Sequence, residues 1–242
     1  MQLTESLRGR EVILAGGTGG IGTAVTEALL GEGARLTISF RSNRERASRW
    51  QDAAIVVQAD LALQEDRTRL LDAAPALYAL VVLAGDPARF PDASQMESAM
   101  RRSHEANYFG PILLAREAVA RLKASSTPGA IVLVSTMQAN ALFPGSTVYA
   151  AQKAALQHAA LILAKECRGP SNIRVNVVSP GITAAGMAEA SIAAGKYDRF
   201  LQEGVIGRFG RAIDVARAIR FFLEPDNYVT GQVLCVDGGI TL

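Results

Sequence analysis

A glycine-rich segment between a short apolar run and a helical pattern constrains this chain more than any other feature. Residues 11–15 (EVILA) have the apolar character of a strand, residues 16–22 are GGTGGIG, and residues 21–30 continue with helical periodicity. Glycine is needed where a backbone turns tightly or approaches a ligand closely, and a helix N-terminus attracts phosphate through its free N–H groups. A glycine-rich turn without a ligand is the simpler interpretation, but the flanking strand and helix favour a phosphate-binding turn.

Short apolar runs alternate with helical patterns along the rest of the chain, and no repeat or composition shift marks a second domain. Strands are predicted at residues 11–15, 35–40, 54–58, 77–83, 130–134, 174–178 and 232–236. Helices are predicted at residues 21–30, 42–50, 67–74, 96–122, 148–166 and 213–223. This alternation is typical of a parallel sheet covered by helices on both faces. We therefore expect a single-domain α/β fold of the Rossmann type over residues 1–242, with a doubly wound parallel sheet.

The amino-acid composition limits the kinds of partner that this protein is expected to bind. The formal net charge of the 242 residues is +2, which is too small to indicate nucleic acid or an anionic membrane as a partner. No apolar run approaches the roughly 18 residues needed to span a bilayer, and the N-terminus has no apolar signal region, so a cytoplasmic protein is expected. Cys167 and Cys235 have neither a metal-ligand spacing nor a disulfide framework. Both are predicted to be core thiols in a reducing compartment, and no metal site is expected.

The end of the second predicted strand indicates which dinucleotide is preferred. An acidic residue at this position binds the 2′-hydroxyl of NAD, whereas an arginine accommodates the 2′-phosphate of NADP. Residues 40–43 (FRSN) contain no acid and Arg41 is well placed, so NADP(H) is favoured over NAD(H), although Gly19 adds no cation on the turn itself. The arginines that follow, up to Arg49, are interpreted as a solvated helix face.

Tyr149 and Lys153 are the second feature of the sequence that indicates a chemical function. A free tyrosine has a pKa of about 10, too high for efficient proton transfer near neutrality. A neighbouring positive charge lowers that pKa, and residues four apart lie side by side on a helix. A chance pair on an amphipathic helix is the alternative, but its position behind the strand at residues 130–134 and well after the glycine turn favours proton transfer coupled to hydride transfer.

With these residues identified, the chain resembles the short-chain dehydrogenases/reductases, and most of all the 3-oxoacyl-acyl-carrier-protein reductase type, over about residues 7–242. The matching motifs are the glycine turn at 16–22, Asp60-Leu61, Asn107 in Asn-Tyr-Phe-Gly, the Tyr149 and Lys153 pair, and residues 176–181 (NVVSPG), 208–210 (RFG), 228–232 (YVTGQ) and 236–239 (VDGG). This set in this order is specific for the family, though not for a substrate.

The resemblance implies an NADP(H)-dependent oxidoreductase that interconverts a ketone or 3-oxo group and a secondary alcohol. Tyr149 would be the general acid and base, Lys153 would lower its pKa and hold the nicotinamide ribose, and Asn107 would hold a water that relays protons to Lys153. A hydroxyl thirteen residues before the tyrosine would hydrogen-bond the substrate carbonyl. That residue is Thr136 here, with Ser135 as the alternative.

The dinucleotide is expected to contact a defined set of residues. They are Gly16, Thr18, Gly19, Gly20, Ile21, Gly22, Arg41, Ser42, Asp60, Leu61, Ala84, Gly85, Tyr149, Lys153, Pro180, Gly181 and Thr183. The chain departs from the family at Val82 and Leu83, where two asparagines are usual, and at Ala185, where a threonine usually bonds the nicotinamide amide. Thr183 is the expected substitute for that threonine.

Residues 182–207 follow a predicted strand end and are irregular, so they are expected to form a flap over a small carbonyl or alcohol substrate, with an ordinary pair of surface helices as the alternative.

The resemblance implies a homotetramer built through the Tyr149 helix and the C-terminal segment. The alternative function is a dinucleotide-binding protein with little or no catalysis, such as a redox sensor or scaffold, suggested by Val82, Leu83 and Ala185.

Overall fold

The computed structural model describes residues 7–242, which form one seven-stranded parallel sheet and nine α-helices. The strands are β1 (Glu11–Ala15), β2 (Arg35–Phe40), β3 (Ile55–Gln58), β4 (Leu77–Val82), β5 (Gly129–Val134), β6 (Ile173–Pro180) and β7 (Val233–Val236). Their order across the sheet is β3-β2-β1-β4-β5-β6-β7. From β1 the chain adds β2 and then β3 on one side of the sheet. It then crosses to the other side of β1, where it adds β4, β5, β6 and β7 in turn. The predicted doubly wound Rossmann-type fold is confirmed.

Helices cover both faces of this sheet. They are α1 (Gly20–Gly31), α2 (Arg44–Ser48), α3 (Gln64–Asp72), α4 (Met96–His104), α5 (Gly110–Ala124), α6 (Thr147–Glu166), α7 (Glu189–Ala193), α8 (Asp198–Gln202) and α9 (Ala212–Leu223). Leu114 of α5 and Leu156 of α6 share one core with Ile131, whereas Phe222 of α9 belongs to the opposite core with Val132. Because successive strand residues enter opposite cores, β4 and β5 are buried along their whole length, as their continuous apolar sequences suggest.

Two features differ from the sequence-based expectations. The helix expected from residue 96 to residue 122 is interrupted, because α4 and α5 are separated by a π-helical segment, Glu105–Phe109. The prediction that both cysteines are core thiols is wrong for Cys235. Cys167 is buried, but Cys235 is exposed because its strand, β7, is an edge of the sheet and none of its four residues is fully buried.

The topology gathers four connecting segments at one edge of the sheet. All strands are parallel, so their carboxyl ends point the same way, and the connections after β1 and β4 diverge to leave a crevice between them. The glycine turn follows β1, residues 83–92 follow β4, residues 135–146 follow β5 and residues 181–207 follow β6. None of the helices in residues 7–242 is both long and apolar enough to cross a bilayer.

Candidate active site

A cleft of about 900 Å³ lies at the carboxyl ends of the strands. It brings together almost every residue that the sequence singled out, including the whole expected dinucleotide set, Thr136 and Ser135. Asn107 is the exception, since it is fully buried behind the cleft wall. No group of histidine, cysteine, aspartate and glutamate side chains within residues 7–242 is arranged to hold a metal ion.

The glycine turn is shaped by backbone contacts that leave no room for side chains. Gly16 has a positive φ of 87°, and a Cβ atom placed on it would lie 2.7 Å from the backbone nitrogen of Ala84. A Cβ atom on Gly22 would lie 2.4 Å from the carbonyl oxygen of Gly16. The Gly16 N–H donates to the Ser39 carbonyl and hydroxyl oxygens, at 3.2 and 3.3 Å, which ties the turn to the end of β2. The first turn of α1 is therefore presented to the cleft by bare backbone.

The connection after β6 lies directly over the start of α1. A Cβ atom on Gly20 would be 2.3 Å from the backbone nitrogen of Gly186, and Gly186 has a positive φ of 58°. Gly186 begins a short 3-10 helix, Gly186–Ala188, which leads into α7. Residues 182–207 thus contain only short helical pieces, and their first part covers the glycine turn.

Arginine side chains without carboxylate partners lie beyond the end of β2. Arg41 and Arg46 both line the cleft and are exposed, and neither forms an ion pair within residues 7–242. Arg44 and Arg49 are also exposed but do not line it. Arg46 lies exposed on α2, whose N-cap is Asn43, as a solvated helix face requires, but it also lines the cleft.

Lys153 is a buried cation held by backbone oxygen. Its side chain is 3% exposed, and its Nζ donates to the carbonyl oxygen of Val134 at 2.9 Å. The Ser135 hydroxyl donates in return to the Lys153 carbonyl oxygen at 3.2 Å, so the end of β5 and the helix α6 are joined twice. Burial lowers the pKa of Lys153 to about 8 because the charged form loses hydration.

Tyr149 lies in the cleft wall with Thr136 beside it. Tyr149 is half-buried, and burial raises the pKa of its phenol to about 12, while a hydrogen bond with the Thr136 side chain acts in the opposite direction. The expected lowering of the Tyr149 pKa by Lys153 is not found, because burial dominates and Lys153 is not among the groups that shift this pKa. Between the two candidate hydroxyls, Thr136 faces Tyr149, whereas Ser135 is engaged with the backbone of α6.

Asn107 occupies the π-helical segment and is fixed by the chain after β4. Its Nδ2 donates to the Asp86 carbonyl oxygen at 2.8 Å and to the Ser103 hydroxyl at 3.0 Å, and its Oδ1 accepts from the Asp86 N–H at 3.1 Å. A Cβ atom on Gly85 would lie 2.9 Å from Asn107 Oδ1 and 3.5 Å from Lys153 Nζ. Both side chains therefore border the same small space above Gly85.

Thr183 is the residue after Pro180 and Gly181 that was expected to replace the family's threonine at position 185. Thr183 is 4% exposed, lines the cleft and donates to the Gly181 carbonyl oxygen at 3.1 Å. A backbone bridge between Thr183 and Gly210 fixes its position. Ala185 also lines the cleft, but it has no polar group to offer there.

Sequence reasoning missed the residues on the far side of Tyr149. Arg89, Phe90, Phe143 and Met187 line the cleft there and come from the connections after β4, β5 and β6. Each of these connections follows the carboxyl end of a strand, and that position indicates that its residues can line a ligand site. No spacing rule identified the individual side chains, because these connections have no regular period.

Comparisons with known proteins extend over nearly the whole chain. The family model described as enoyl-(acyl carrier protein) reductase matches residues 15–241. An uncharacterised oxidoreductase of Methylorubrum extorquens is 32% identical over 97% of this chain and 98% of its own. A chloroplastic NADPH-dependent aldehyde reductase-like protein of Arabidopsis thaliana is 32% identical over 96% and 94% of the two chains. A solved short-chain type dehydrogenase/reductase of Mycobacterium ulcerans is 26% identical, with a TM-score of 0.88, and covers 97% of this chain and 90% of its own.

The tight contact at Gly16 generates the first prediction. Gly16→Ala places a methyl group against the Ala84 backbone and forces a positive φ on alanine, at a strain of about 1–3 kcal/mol. We expect the turn to shift and the affinity for NADPH, measured by calorimetric titration, to fall by about tenfold or more.

Gly31→Ala is the matched control, because nothing lies within 4 Å of a Cβ atom at that position and the φ is ordinary. Its NADPH affinity should equal that of the unchanged protein. Equal affinity for Gly16→Ala as well would show that the turn does not contact the dinucleotide.

Proposed function

Since this chain belongs to the short-chain dehydrogenase/reductase family of oxidoreductases, we propose that it uses NADP(H) to interconvert a ketone and a secondary alcohol, with Tyr149 transferring the proton. The observation that carries the proposal is the convergence of Tyr149, Lys153 and Thr136 in the same cleft as the glycine turn. A nicotinamide dinucleotide fits this cleft, because the first turn of α1 meets it without side chains, and exposed arginines that form no ion pair among residues 7–242 lie at one end.

Tyr149 is the proposed general acid in the reducing direction. The bound dinucleotide would supply the hydride to the carbonyl carbon. Tyr149 then donates its phenolic proton to the carbonyl oxygen, and the reverse reaction requires the phenolate. Because burial raises the pKa of Tyr149 to about 12, the phenol is protonated near neutrality, and its proton can leave only if the phenolate that forms is stabilised.

Lys153 is proposed to stabilise the phenolate that forms as Tyr149 loses its proton. The two side chains are neighbours on α6, four residues apart, and Val134 fixes the position of the ammonium. Asn107 borders the same space above Gly85. This arrangement supports the proposal that Asn107 holds a water through which protons reach Lys153.

Thr136 is proposed to hydrogen-bond the substrate carbonyl. Its side chain faces Tyr149, so one carbonyl oxygen can be reached by both hydroxyls. Ser135 is the weaker candidate, because its hydroxyl is already donated to the backbone of Lys153.

NADP(H) is proposed over NAD(H) because Arg41 and Arg46 lie unpaired where β2 ends. Arginine matches a phosphate in both charge and geometry. The NADPH named for the Arabidopsis relative supports the same preference. Thr183 and Pro180 would hold the nicotinamide end, and Asp60 the adenine end.

Residues 182–207 are proposed to act as the substrate flap of a single domain, since they line the cleft beside Tyr149 and cover the glycine turn. A cytoplasmic homotetramer built through α6 and the C-terminal segment is proposed from the family resemblance. The exposed apolar Ile162 on α6 and Leu234 on β7 suit such contacts.

Removing the phenolic hydroxyl tests the reaction itself. Tyr149→Phe should lower kcat for ketone reduction by about 10²–10⁴-fold, because the proton donor is lost. NADPH affinity, measured by calorimetry on the same sample, should stay within about threefold, which separates chemistry from binding. If neither protein oxidises NADPH with any of a panel of ketones and 3-oxo esters, yet both bind NADPH, the non-catalytic dinucleotide-binding alternative is correct.

Cofactor choice can be tested at Arg41. Arg41→Gln should weaken NADPH binding by about tenfold or more and leave NADH binding unchanged, because only NADPH carries the 2′-phosphate. Arg49→Gln removes a nearby exposed arginine that does not line the cleft and serves as the control. Equal losses of both dinucleotides in Arg41→Gln would contradict the assignment.

The pH profile should report Lys153. Its pKa of about 8 means that the ammonium is present below that pH and lost above it, while Tyr149 stays protonated throughout. We expect kcat/KM for ketone reduction to be constant below about pH 7 and to fall as pH rises above about 8. NADPH affinity at each pH is the control. A rate that stays constant through pH 10 would exclude the charge of Lys153 from catalysis.

A further inference from the structure

Two cations on the substrate side of the cleft have no carboxylate partner. Arg89 follows β4, Lys196 lies between α7 and α8, and both line the cleft. Neither forms an ion pair with any residue from 7 to 242. Arg102, which bonds the backbone of Arg89, is instead paired with Asp86 at 3.1 Å.

The backbone that carries Arg89 is held in a specific shape. The Asp86 carboxylate accepts the Ala88 N–H at 2.6 Å, and Ala88 adopts a positive φ of 53° although it is not glycine. Arg102 bonds the Arg89 carbonyl oxygen at 3.1 Å as well as the carboxylate of Asp86. A left-handed alanine is unfavourable by itself, so these contacts are what hold Arg89 at the cleft.

The Arg89 guanidinium is held in one orientation, but not all of its N–H donors are used. Its Nη2 donates to the Met187 carbonyl oxygen at 2.6 Å and lies 3.4 Å from the Ser191 hydroxyl. A guanidinium has five N–H donors, and Nε and Nη1 have no protein partner among the described residues. The Lys196 Nζ makes a single contact of note, over the Tyr197 ring at 5.6 Å. Charge and donors therefore remain for a ligand.

The connections after β4, β5 and β6 bring apolar side chains to this part of the cleft, together with the polar Gln138, Ser146 and Ser191. Phe90, Phe143, Pro144 and Met187 line this part of the cleft. The cleft carries two acidic residues, Asp60 after β3 and Glu105 after α4, and neither belongs to the connections that hold Arg89 or Lys196. The substrate side thus combines an apolar wall with positive charge.

We infer that the substrate is an oxo acid, whose carboxylate binds Arg89 and Lys196 while its carbonyl lies at Tyr149 and Thr136. This inference rests on the proposed function and specifies its substrate class. Arg41 and Arg46 are not available for this carboxylate, because they follow β2, on the far side of β1 from the connections after β4 and β6. The methylene chain between the carbonyl and the carboxylate packs on Phe143 and Met187.

The test compares acids with their uncharged esters. The probes are 4-oxopentanoate, 5-oxohexanoate and 6-oxoheptanoate and the ethyl ester of each, all assayed with NADPH. At the best chain length we expect kcat/KM for the acid to exceed that for the ester by about tenfold or more, as for a hydrogen bond to a charged group. The KM of the acid should rise severalfold between about 0.05 and about 0.5 M salt, whereas that of the ester should not.

Variants identify the residues responsible. Both side chains are exposed, but of the two Arg89 is held in place by its hydrogen bond to Met187. Arg89→Gln should therefore lower kcat/KM for the best acid by about tenfold or more, and Lys196→Gln by about threefold, with each ester changed by less than about twofold. Arg199→Gln is the matched control, since it removes a cation from the same flap that stacks on Phe200 and does not line the cleft. Thermal unfolding of each variant checks that folding is unchanged.

The outcomes separate this inference from the function on which it rests. Esters reduced as well as acids at every chain length, or equal losses for acid and ester in Arg89→Gln, would overturn the inference and leave ketone reduction standing. The second result would mean that Arg89 only holds residues 187–191 in place. NADPH bound but never oxidised with any acid or ester would overturn both.

Discussion

The double link between β5 and α6 fixes the geometry on which the site depends. A buried ammonium is costly unless it is hydrogen-bonded, and Lys153 has no carboxylate partner among residues 7–242, so its bond to Val134 and the return bond from Ser135 hold α6 against the end of β5. Tyr149 and Thr136 are positioned by the same two elements. Moving either link would displace Tyr149, Lys153 and Thr136 together.

The sequence alone was enough to predict the arrangement of strands and helices, because several of its features indicate the same fold. Each strand is a short apolar run, and burial on both faces of a parallel sheet requires such runs in β4 and β5. The cleft could be located as well, since a parallel sheet collects its connections at one edge. Residues far apart in sequence, such as Arg41 and Thr183, were therefore correctly placed in one cleft.

What the sequence did not predict depends on side-chain direction and local backbone. The π-helical segment around Asn107 has no compositional signature, and it arises where the asparagine amide bonds the backbone of Asp86. Cys235 is as apolar in sequence context as Cys167, but its strand lies at an edge of the sheet. Thr136 was expected from its place before Tyr149, but the sequence did not show that the Ser135 hydroxyl is already donated to the backbone of α6.

The contact of Gly20 with Gly186 has a consequence for both parts of the cleft. The two backbones meet with no side chain between them, so a dinucleotide whose phosphates lie at the start of α1 is covered by the same connection that forms the substrate side. A displacement of that connection would therefore alter the start of α1 and the substrate side of the cleft at the same time.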